Sequence, residues 1–207
     1  MSNAKPIIAI DIDDVIADMT EGLRVWANVQ TGRELTREDY NIPGEYWTYY
    51  DQVWAAHGMP DELSFGQYQE AIIAGKAEIP LVEGASSAIA KLQKKYKIIL
   101  ITARIPAMES KTQEWVTDYF ADEDVELYFA QNPNHEQGNV RKTKGQICKE
   151  LGAFILIDDH IDNCISALQE GIETIVFGNF GWQAQVPKGA IHCADWPAVL
   201  EYFNGRQ

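Results

Sequence analysis

The chain has 207 residues, of which 46% are hydrophobic and 23% charged, and its net charge is −14 from 31 acidic and 17 basic residues. This composition is typical of a globular protein, and the length suits one large domain or a core with a smaller insert. The acidic balance disfavours nucleic-acid polymers, because Lys and Arg must neutralise their phosphates. No apolar segment approaches the roughly 20 residues of a membrane span, and the N-terminus lacks the apolar stretch of a secretory signal.

Cysteine and histidine usage gives a second set of exclusions. The three cysteines (Cys148, Cys164 and Cys193) include no CxxC pair, and an odd number argues against a disulfide framework. The four histidines show no zinc-binding spacing. We therefore expect a reduced, cytoplasmic protein.

Short apolar runs alternate with helical patterns over most of the chain. The runs predict buried strands at 6–10, 97–102, 125–130, 154–158 and 173–177, and helices are predicted at 84–96, 110–120, 144–152 and 161–171. Gly152 and Gly171 lie where C-terminal helix glycines are expected. Strands without polar alternation are typical of burial on both faces, so the pattern predicts a parallel α/β sandwich.

The first two predicted strands are too far apart for a single crossover helix. Residues 18–80, between them, are rich in aromatic side chains and contain turn signals such as "NIPGE". We predict a mostly helical insert there. The expected division is a core formed by 1–17 and 81–207 and a separate cap formed by 18–80.

Polar and charged residues follow several predicted strands directly. Asp11 and Asp13 follow the first strand, Thr102 ends the second, and Asp158 and Asp159 end the fourth. Lys144 begins the helix before the fourth strand. Ligands of open parallel sheets bind at the carboxyl ends of the strands. Clustered carboxylates repel one another there, so we expect a divalent cation together with Lys144 as their positive partners.

The order of these segments resembles a known superfamily. "DIDDV", "ILITAR", Lys144 and "LIDD" are similar to the four motifs of the haloacid dehalogenase superfamily of phosphohydrolases. The resemblance spans residues 7–163 and implies a Rossmann-like three-layer sandwich with a mostly parallel sheet. The insert after strand one matches the type-one cap of that superfamily. Within it, the motifs look most like the 5'(3')-deoxyribonucleotidase branch.

The resemblance implies a role for each motif residue. Asp11 is the expected nucleophile, which forms an aspartyl-phosphate, and Asp13 the expected general acid and base. Thr102 and Lys144 are expected to stabilise the phosphoryl group and its charge. Mg²⁺ is the expected cofactor, held by the carboxylates of Asp11 and Asp158 and the backbone carbonyl of Asp13. Asp159 is expected just outside these ligands, orienting Lys144 or a metal-bound water.

The sequence leaves the roles of several other residues open. Lys142 competes with Lys144 as the catalytic lysine, and Arg104 either binds a substrate anion or is a solvated surface residue. Asp18 is expected to cap a helix, whereas the roles of Asp14 and Asp162 stay open. Aromatic residues of the insert, with Tyr46 and Trp47 as candidates, either stack on a substrate or form the cap's own core.

The favoured function is therefore a Mg²⁺-dependent phosphomonoesterase acting on a small phosphorylated substrate, preferentially a (deoxy)nucleoside 5'-monophosphate. A phosphatase of sugar or other organic phosphates uses the same core chemistry. A phospho-signalling receiver also collects acids, Thr and Lys at one sheet edge, but receivers lack a large insert after strand one. The complete set of motif residues argues against a non-catalytic phospho-ligand binder. A carbon–halogen dehalogenase does not need the Asp13 acid or the metal-binding Asp158. The sequence gives no indication of oligomeric state.

Overall fold

A computed structural model describes residues 4–121, 123–130 and 142–206. Within these ranges, six strands form one sheet: β1 (Ile7–Asp11), β2 (Lys97–Thr102), β3 (Val125–Phe129), β4 (Ala153–Asp158), β5 (Glu173–Phe177) and β6 (Ile191–Cys193). Their order is β3-β2-β1-β4-β5-β6, and every neighbouring pair is parallel. The first strand therefore lies in the middle, between β2 and β4.

Eight helices belong to the described part of the chain: α1 (Met19–Thr31), α2 (Tyr49–Ala56), α3 (Phe65–Ile73), α4 (Ala85–Leu92), α5 (Glu109–Phe120), α6 (Lys144–Leu151), α7 (Ile161–Gln169) and α8 (Trp196–Asn204). Side chains alternate between the two faces of a strand. On one face, Ala9 and Leu156 pack with residues of α6 and α7. On the other, Ile8 and Ile10 pack with residues of α4 and α8. The predicted three-layer α/β fold is confirmed.

Two strands differ from the sequence prediction for physical reasons. β6 was not predicted, because its three residues are too few to show a periodic pattern. β3 was expected to be buried on both faces, but it lies at the sheet edge and most of its residues are only partly buried. The predicted helix-terminal glycines do adopt left-handed backbone angles, with φ of 72° at Gly152 and 78° at Gly171.

The segment between β1 and β2 leaves and rejoins the sheet at one place. The Asp18 amide donates to the Pro80 carbonyl (2.7 Å), and the Val82 amide donates to the Ile16 carbonyl (2.8 Å). Between these contacts the chain forms α1, α2 and α3 with short 3₁₀ turns, so it is helical as expected. Its division from the core as a separate cap of residues 18–80 stays a prediction, and the predicted core range includes residues outside the described ranges.

The cellular environment remains an expectation from the sequence. All three cysteines are free and buried. Among the described residues, no helix combines the length and apolar character needed to cross a bilayer. The cytoplasmic location stays a prediction.

Candidate active site

Acidic side chains meet at the carboxyl edge of the sheet. Asp11 ends β1, and the adjacent strand β4 ends at Asp158. On the other side of β1, Asp11 pairs with Ile101, the residue before Thr102. Parallel pairing of these three strands therefore places all three predicted residues at neighbouring strand ends. Asp11 and Asp158 are buried, as is Thr102.

Lys144 connects two of these strands through its ammonium group. Its Nζ lies 2.7 Å from Asp11 Oδ1 and 2.8 Å from Asp158 Oδ2, and its side chain is only 3% exposed. Lys144 is the first residue of α6, where the Thr143 hydroxyl and the Gln146 side chain form a capping box. Lys142 instead pairs with Glu150 at the surface. Of the two candidate lysines, the structure therefore places Lys144 in the site.

Close packing of two helices fixes the position of Lys144. The next residue, Gly145, lies against the backbone of α7, where a Cβ atom would collide with Ser166. Only glycine lets α6 approach α7 this closely, so the lysine reaches the strand ends from a rigid support.

The carboxylates outnumber the positive charge available to them. Burial, together with the charge of Asp158, raises the pKa of Asp11 to about 7 despite the opposing effect of Lys144. Burial and the charge of Asp158 also raise the pKa of Asp159 well above its ordinary range. Burial alone would lower the pKa of Lys144, but Asp11 and Asp158 raise it overall. The site therefore favours additional positive charge.

The donor atoms fit a hard divalent cation. Carboxylate oxygens of Asp11, Asp158 and Asp159 all lie within 4.8 Å of one another, and Mg²⁺ prefers such oxygen ligands. Asp159 thus lies within the acidic cluster, and its expected place just outside the metal ligands stays a prediction. The indole Nε1 of Trp182 donates to Asp159 Oδ2 at 3.0 Å and fixes that side chain. Asp158 Oδ1 likewise accepts from the His160 amide (2.9 Å) and from Asn163 Nδ2 (3.0 Å).

Arg104 is a buried ion-pair partner of Asp13. Its Nε lies 3.0 and 3.1 Å from the two oxygens of Asp13, and Nη2 lies 2.6 Å from Oδ1. The alternative of a solvated surface arginine is therefore wrong. The backbone amide of Arg104 donates to Thr102 Oγ1 at 3.1 Å. This contact occupies a lone pair of the Thr102 hydroxyl oxygen, so the hydroxyl can still donate its proton to another acceptor.

Asp14 links the loop after β1 to the helical insert. Its φ of 56° lies in the left-handed region, which Asp tolerates better than most residues. Its Oδ1 accepts from the Thr20 amide (2.9 Å), and Oδ2 accepts from the Thr20 hydroxyl (3.0 Å). Tyr50 Oη lies 3.4 Å from Oδ2. Asp18 caps α1 as predicted, by accepting from the Glu21 amide.

An aromatic cluster lies beside the acidic residues, and only part of it was predicted. Tyr46 stacks on His160 with ring centroids 3.6 Å apart, and the exposed Trp47 meets both rings edge-on. Trp182 contacts Tyr46 and stacks on Phe180. The sequence offered a signal for the missed residues, because His160 directly follows "LIDD" and the loop of Phe180 and Trp182 follows β5, the neighbour of β4.

Tyr49 and Tyr50 have structural environments instead. Tyr49 is buried, and its hydroxyl donates to the backbone carbonyls of Tyr40 and Ile42. Tyr50 packs on Phe65, with its hydroxyl in the network of Asp14 and Thr20. Tyr49 and Tyr50 therefore fit the interpretation of insert aromatics as structural residues. Tyr46 and Trp47 lie in the cluster with His160, and a contact of these two with substrate stays a prediction.

Comparison with known proteins defines the fold but not the reaction. No protein-family model and no curated protein matches the chain. A haloacid dehalogenase-like (HAD) hydrolase from Streptococcus pneumoniae is 17% identical with a TM-score of 0.57, over 98% of this chain and 100% of that one. The magnesium-bound HAD-hydrolase YfnB from Bacillus subtilis is 11% identical with a TM-score of 0.60, over 98% and 100%.

A third similar structure carries both a metal and a phosphate. It is the D,D-heptose 1.7-bisphosphate phosphatase from B. bronchiseptica complexed with magnesium and phosphate, 15% identical with a TM-score of 0.50 over 98% of this chain and 99% of that one. At such low identities the likeness extends to the fold alone. The chain has the three-layer α/β fold found in HAD-superfamily hydrolases.

Proposed function

We propose that the protein is a Mg²⁺-dependent phosphomonoesterase of the haloacid dehalogenase superfamily. The observation that carries this proposal is the buried Lys144 ammonium shared by Asp11 and Asp158 at the carboxyl edge of the sheet. Burying these charges costs desolvation free energy, so a core that served only packing would not be expected to contain them. A phosphate-transfer site needs a fixed carboxylate beside fixed positive charge. The HAD-hydrolase neighbours support a hydrolase of this type.

Each step of the reaction has a residue to perform it. A carboxylate oxygen of Asp11 attacks phosphorus, the bond from phosphorus to the ester oxygen breaks, and Asp13 protonates the leaving oxygen. Water then attacks the aspartyl-phosphate, Asp13 accepts its proton, and the bond from phosphorus to Asp11 breaks. Thr102 and Lys144 hold the phosphoryl oxygens throughout.

The acidic cluster of Asp11, Asp158 and Asp159 would hold Mg²⁺. When bound, the ion offsets the repulsion between the Asp11 carboxylate and the anionic phosphate. Magnesium-bound neighbours of the same fold support this choice of metal.

The favoured substrate is a (deoxy)nucleoside 5'-monophosphate, as in the 5'(3')-deoxyribonucleotidase branch that the motifs resemble. The support is the aromatic cluster, in which Trp47 is 77% exposed and offers a ring to a planar group. In this assignment residues 18–80 form a type-one cap. Small phosphorylated molecules are the expected partners, since the negative charge disfavours nucleic-acid polymers. The cytoplasm is the expected location.

A phosphate-release screen tests the proposal directly. Nucleoside and deoxynucleoside 5'- and 3'-monophosphates and a set of sugar phosphates are incubated with the protein in Mg²⁺ or in EDTA. Asp11→Asn serves as the inactive control, checked by mass spectrometry for deamidation. We expect Mg²⁺-dependent release that is greatest with a 5'-monophosphate and absent from the variant. Release from no ester would reject the phosphatase, whereas a clear preference for sugar phosphates would reject only the nucleotide assignment.

A further inference from the structure

We propose that Arg104 is a positioning residue that holds the Asp13 carboxylate in place for proton transfer. This inference rests on the proposed phosphatase reaction, in which Asp13 is the general acid and base. It replaces the earlier idea that Arg104 itself binds a substrate anion. The contacts around the guanidinium group carry the argument.

The guanidinium group is inaccessible to a substrate. The side chain of Arg104 is 3% exposed, whereas that of its partner Asp13 is 27% exposed, so of the two it is Asp13 that solvent reaches. Nε and Nη2 donate hydrogen bonds to the Asp13 carboxylate, and Nη1 donates to Thr112 Oγ1 at 3.2 Å. A substrate anion would have to compete with these contacts for a guanidinium group that is almost fully buried.

Arg104 is anchored on two elements that do not belong to the loop of Asp13. Its backbone amide donates a hydrogen bond to the Thr102 hydroxyl at the end of β2. Its guanidinium is bonded to Thr112 in α5, and the hydroxyl of Thr112 donates to the Met108 carbonyl at 2.9 Å. The planar fork of Arg transmits this fixed position to a carboxylate through paired hydrogen bonds.

The pairing also distinguishes the two oxygens of Asp13. Oδ1 accepts two contacts, at 3.0 and 2.6 Å, whereas Oδ2 accepts one at 3.1 Å. Oδ2 therefore has more acceptor capacity left, and the geometry assigns proton transfer to that oxygen. A general acid and base contributes on the order of 10²–10⁴-fold to a rate when it is correctly placed. A small displacement of Asp13 is therefore costly.

Leaving-group dependence separates positioning from substrate binding. The test compares a nucleoside 5'-monophosphate, whose alkoxide must be protonated, with p-nitrophenyl phosphate, whose phenolate leaves without a proton. For Arg104→Met we expect kcat to fall about 100-fold with the nucleotide, at little changed KM. With p-nitrophenyl phosphate we expect a rapid burst of nearly one p-nitrophenolate per enzyme, because hydrolysis of the aspartyl-phosphate becomes slow.

Two further variants make the test specific. Arg104→Lys keeps the positive charge but loses the fork, so an intermediate loss and a smaller burst are expected; it decides the test if Arg104→Met does not fold. Arg206→Met is the matched control, since Arg206 contacts both oxygens of Glu173 at the opposite, amino-terminal edge of the sheet. Its kinetics should stay within about twofold of the wild type.

A double mutant shows whether Arg104 acts through Asp13. Adding Arg104→Met to Asp13→Asn should cause little further loss, because residues that act as one unit are not additive. Multiplied losses, or a raised KM for both esters without a burst, would overturn the positioning role. The positioning role would also be overturned if the Arg104 variants had wild-type kinetics while Asp13→Asn was impaired. If the wild type hydrolyses no ester, or Asp13→Asn has no effect, the proposed reaction itself fails.

Discussion

Lys144 and Asp11 form a buried ion pair, with Nζ 2.7 Å from Oδ1, and the same ammonium lies 2.8 Å from Asp158. One positive charge is thus shared by carboxylates from two neighbouring strands. Removing one partner of a buried ion pair leaves the other charge without compensation, at a cost of about 3–5 kcal/mol. Stability and the proposed catalysis therefore depend on the same atoms.

Lys144→Met should lower the free energy of unfolding by about 3–5 kcal/mol and abolish phosphate release. Urea unfolding in EDTA measures the first effect. The control is Lys142→Met, which removes an exposed ion pair with Glu150 and should change stability by about 1 kcal/mol at most. Similar effects of the two substitutions would contradict the structural role given to Lys144.

Asp14 makes the stability of the metal-free protein depend on pH. Burial raises its pKa to about 7, against the opposing hydrogen bonds from Thr20. In the unfolded chain the pKa is about 4, so between these values the folded state binds a proton that the unfolded state does not. The stabilising contribution is complete below about pH 4 and is lost as pH rises through 7.

Asp14→Asn should therefore flatten the pH profile and raise stability at pH 8, by up to roughly 4 kcal/mol for a shift of about three pKa units. The amide can keep both contacts with Thr20, and Asn also tolerates the left-handed φ. Unfolding in urea from pH 4 to 8, with EDTA present, measures the profile. Asp11 retains part of the slope, since its pKa also rises to about 7. The control is the exposed Asp51→Asn; a profile for Asp14→Asn parallel to that of the wild type would refute the role of Asp14.

The fold and the acidic centre were predictable because their sequence signals are local. Four of the six strands in the described part of the chain are apolar runs buried between two helical layers. Parallel pairing then dictates that Asp11, Thr102 and Asp158 lie side by side. The role of each of these residues stays a prediction. The position of Lys144 followed from its place at the start of a helix.

Contacts between distant segments were not predictable in the same way. Arg104 was left as a substrate ligand or a surface residue, because nothing near it in sequence shows that Asp13, 91 positions away, would bury and pair it. Trp182 reaches Asp159 from the loop after β5, and Tyr46 reaches His160 from the insert. Such contacts depend on how loops return over the sheet edge, which periodicity does not encode.

Mg²⁺ should raise the unfolding temperature in a concentration-dependent way, since a ligand that binds the folded state stabilises it. EDTA should abolish turnover, Mg²⁺ should restore it, and Ca²⁺ should support little because of its looser coordination. Asp159→Asn should raise the Mg²⁺ concentration that is needed for a given increase in unfolding temperature by about 10–100-fold. Asp162, which is 75% exposed, provides the control variant Asp162→Asn, expected to match the wild type. Full turnover in excess chelator would rule out the metal-dependent mechanism.

Trp47→Ala should separate two classes of substrate, because Trp47 is the exposed ring of the cluster beside the acidic residues. Loss of about 1–3 kcal/mol of stacking corresponds to a fall of roughly 5–150-fold in kcat/KM for the favoured nucleotide. Turnover of a small non-aromatic ester such as glycerol phosphate should change far less, since its leaving group has no ring for the indole to stack on.

Two control variants define what this result means. Tyr49→Phe removes hydroxyl contacts inside the insert, so it should lower stability and affect both esters equally. Tyr119→Ala removes an exposed aromatic ring near the far end of α5 and should leave both rates unchanged. If Trp47→Ala instead reduces both rates by the same factor, the exposed indole does not distinguish between the two leaving groups. The preference for a nucleotide would then rest on the motif resemblance alone.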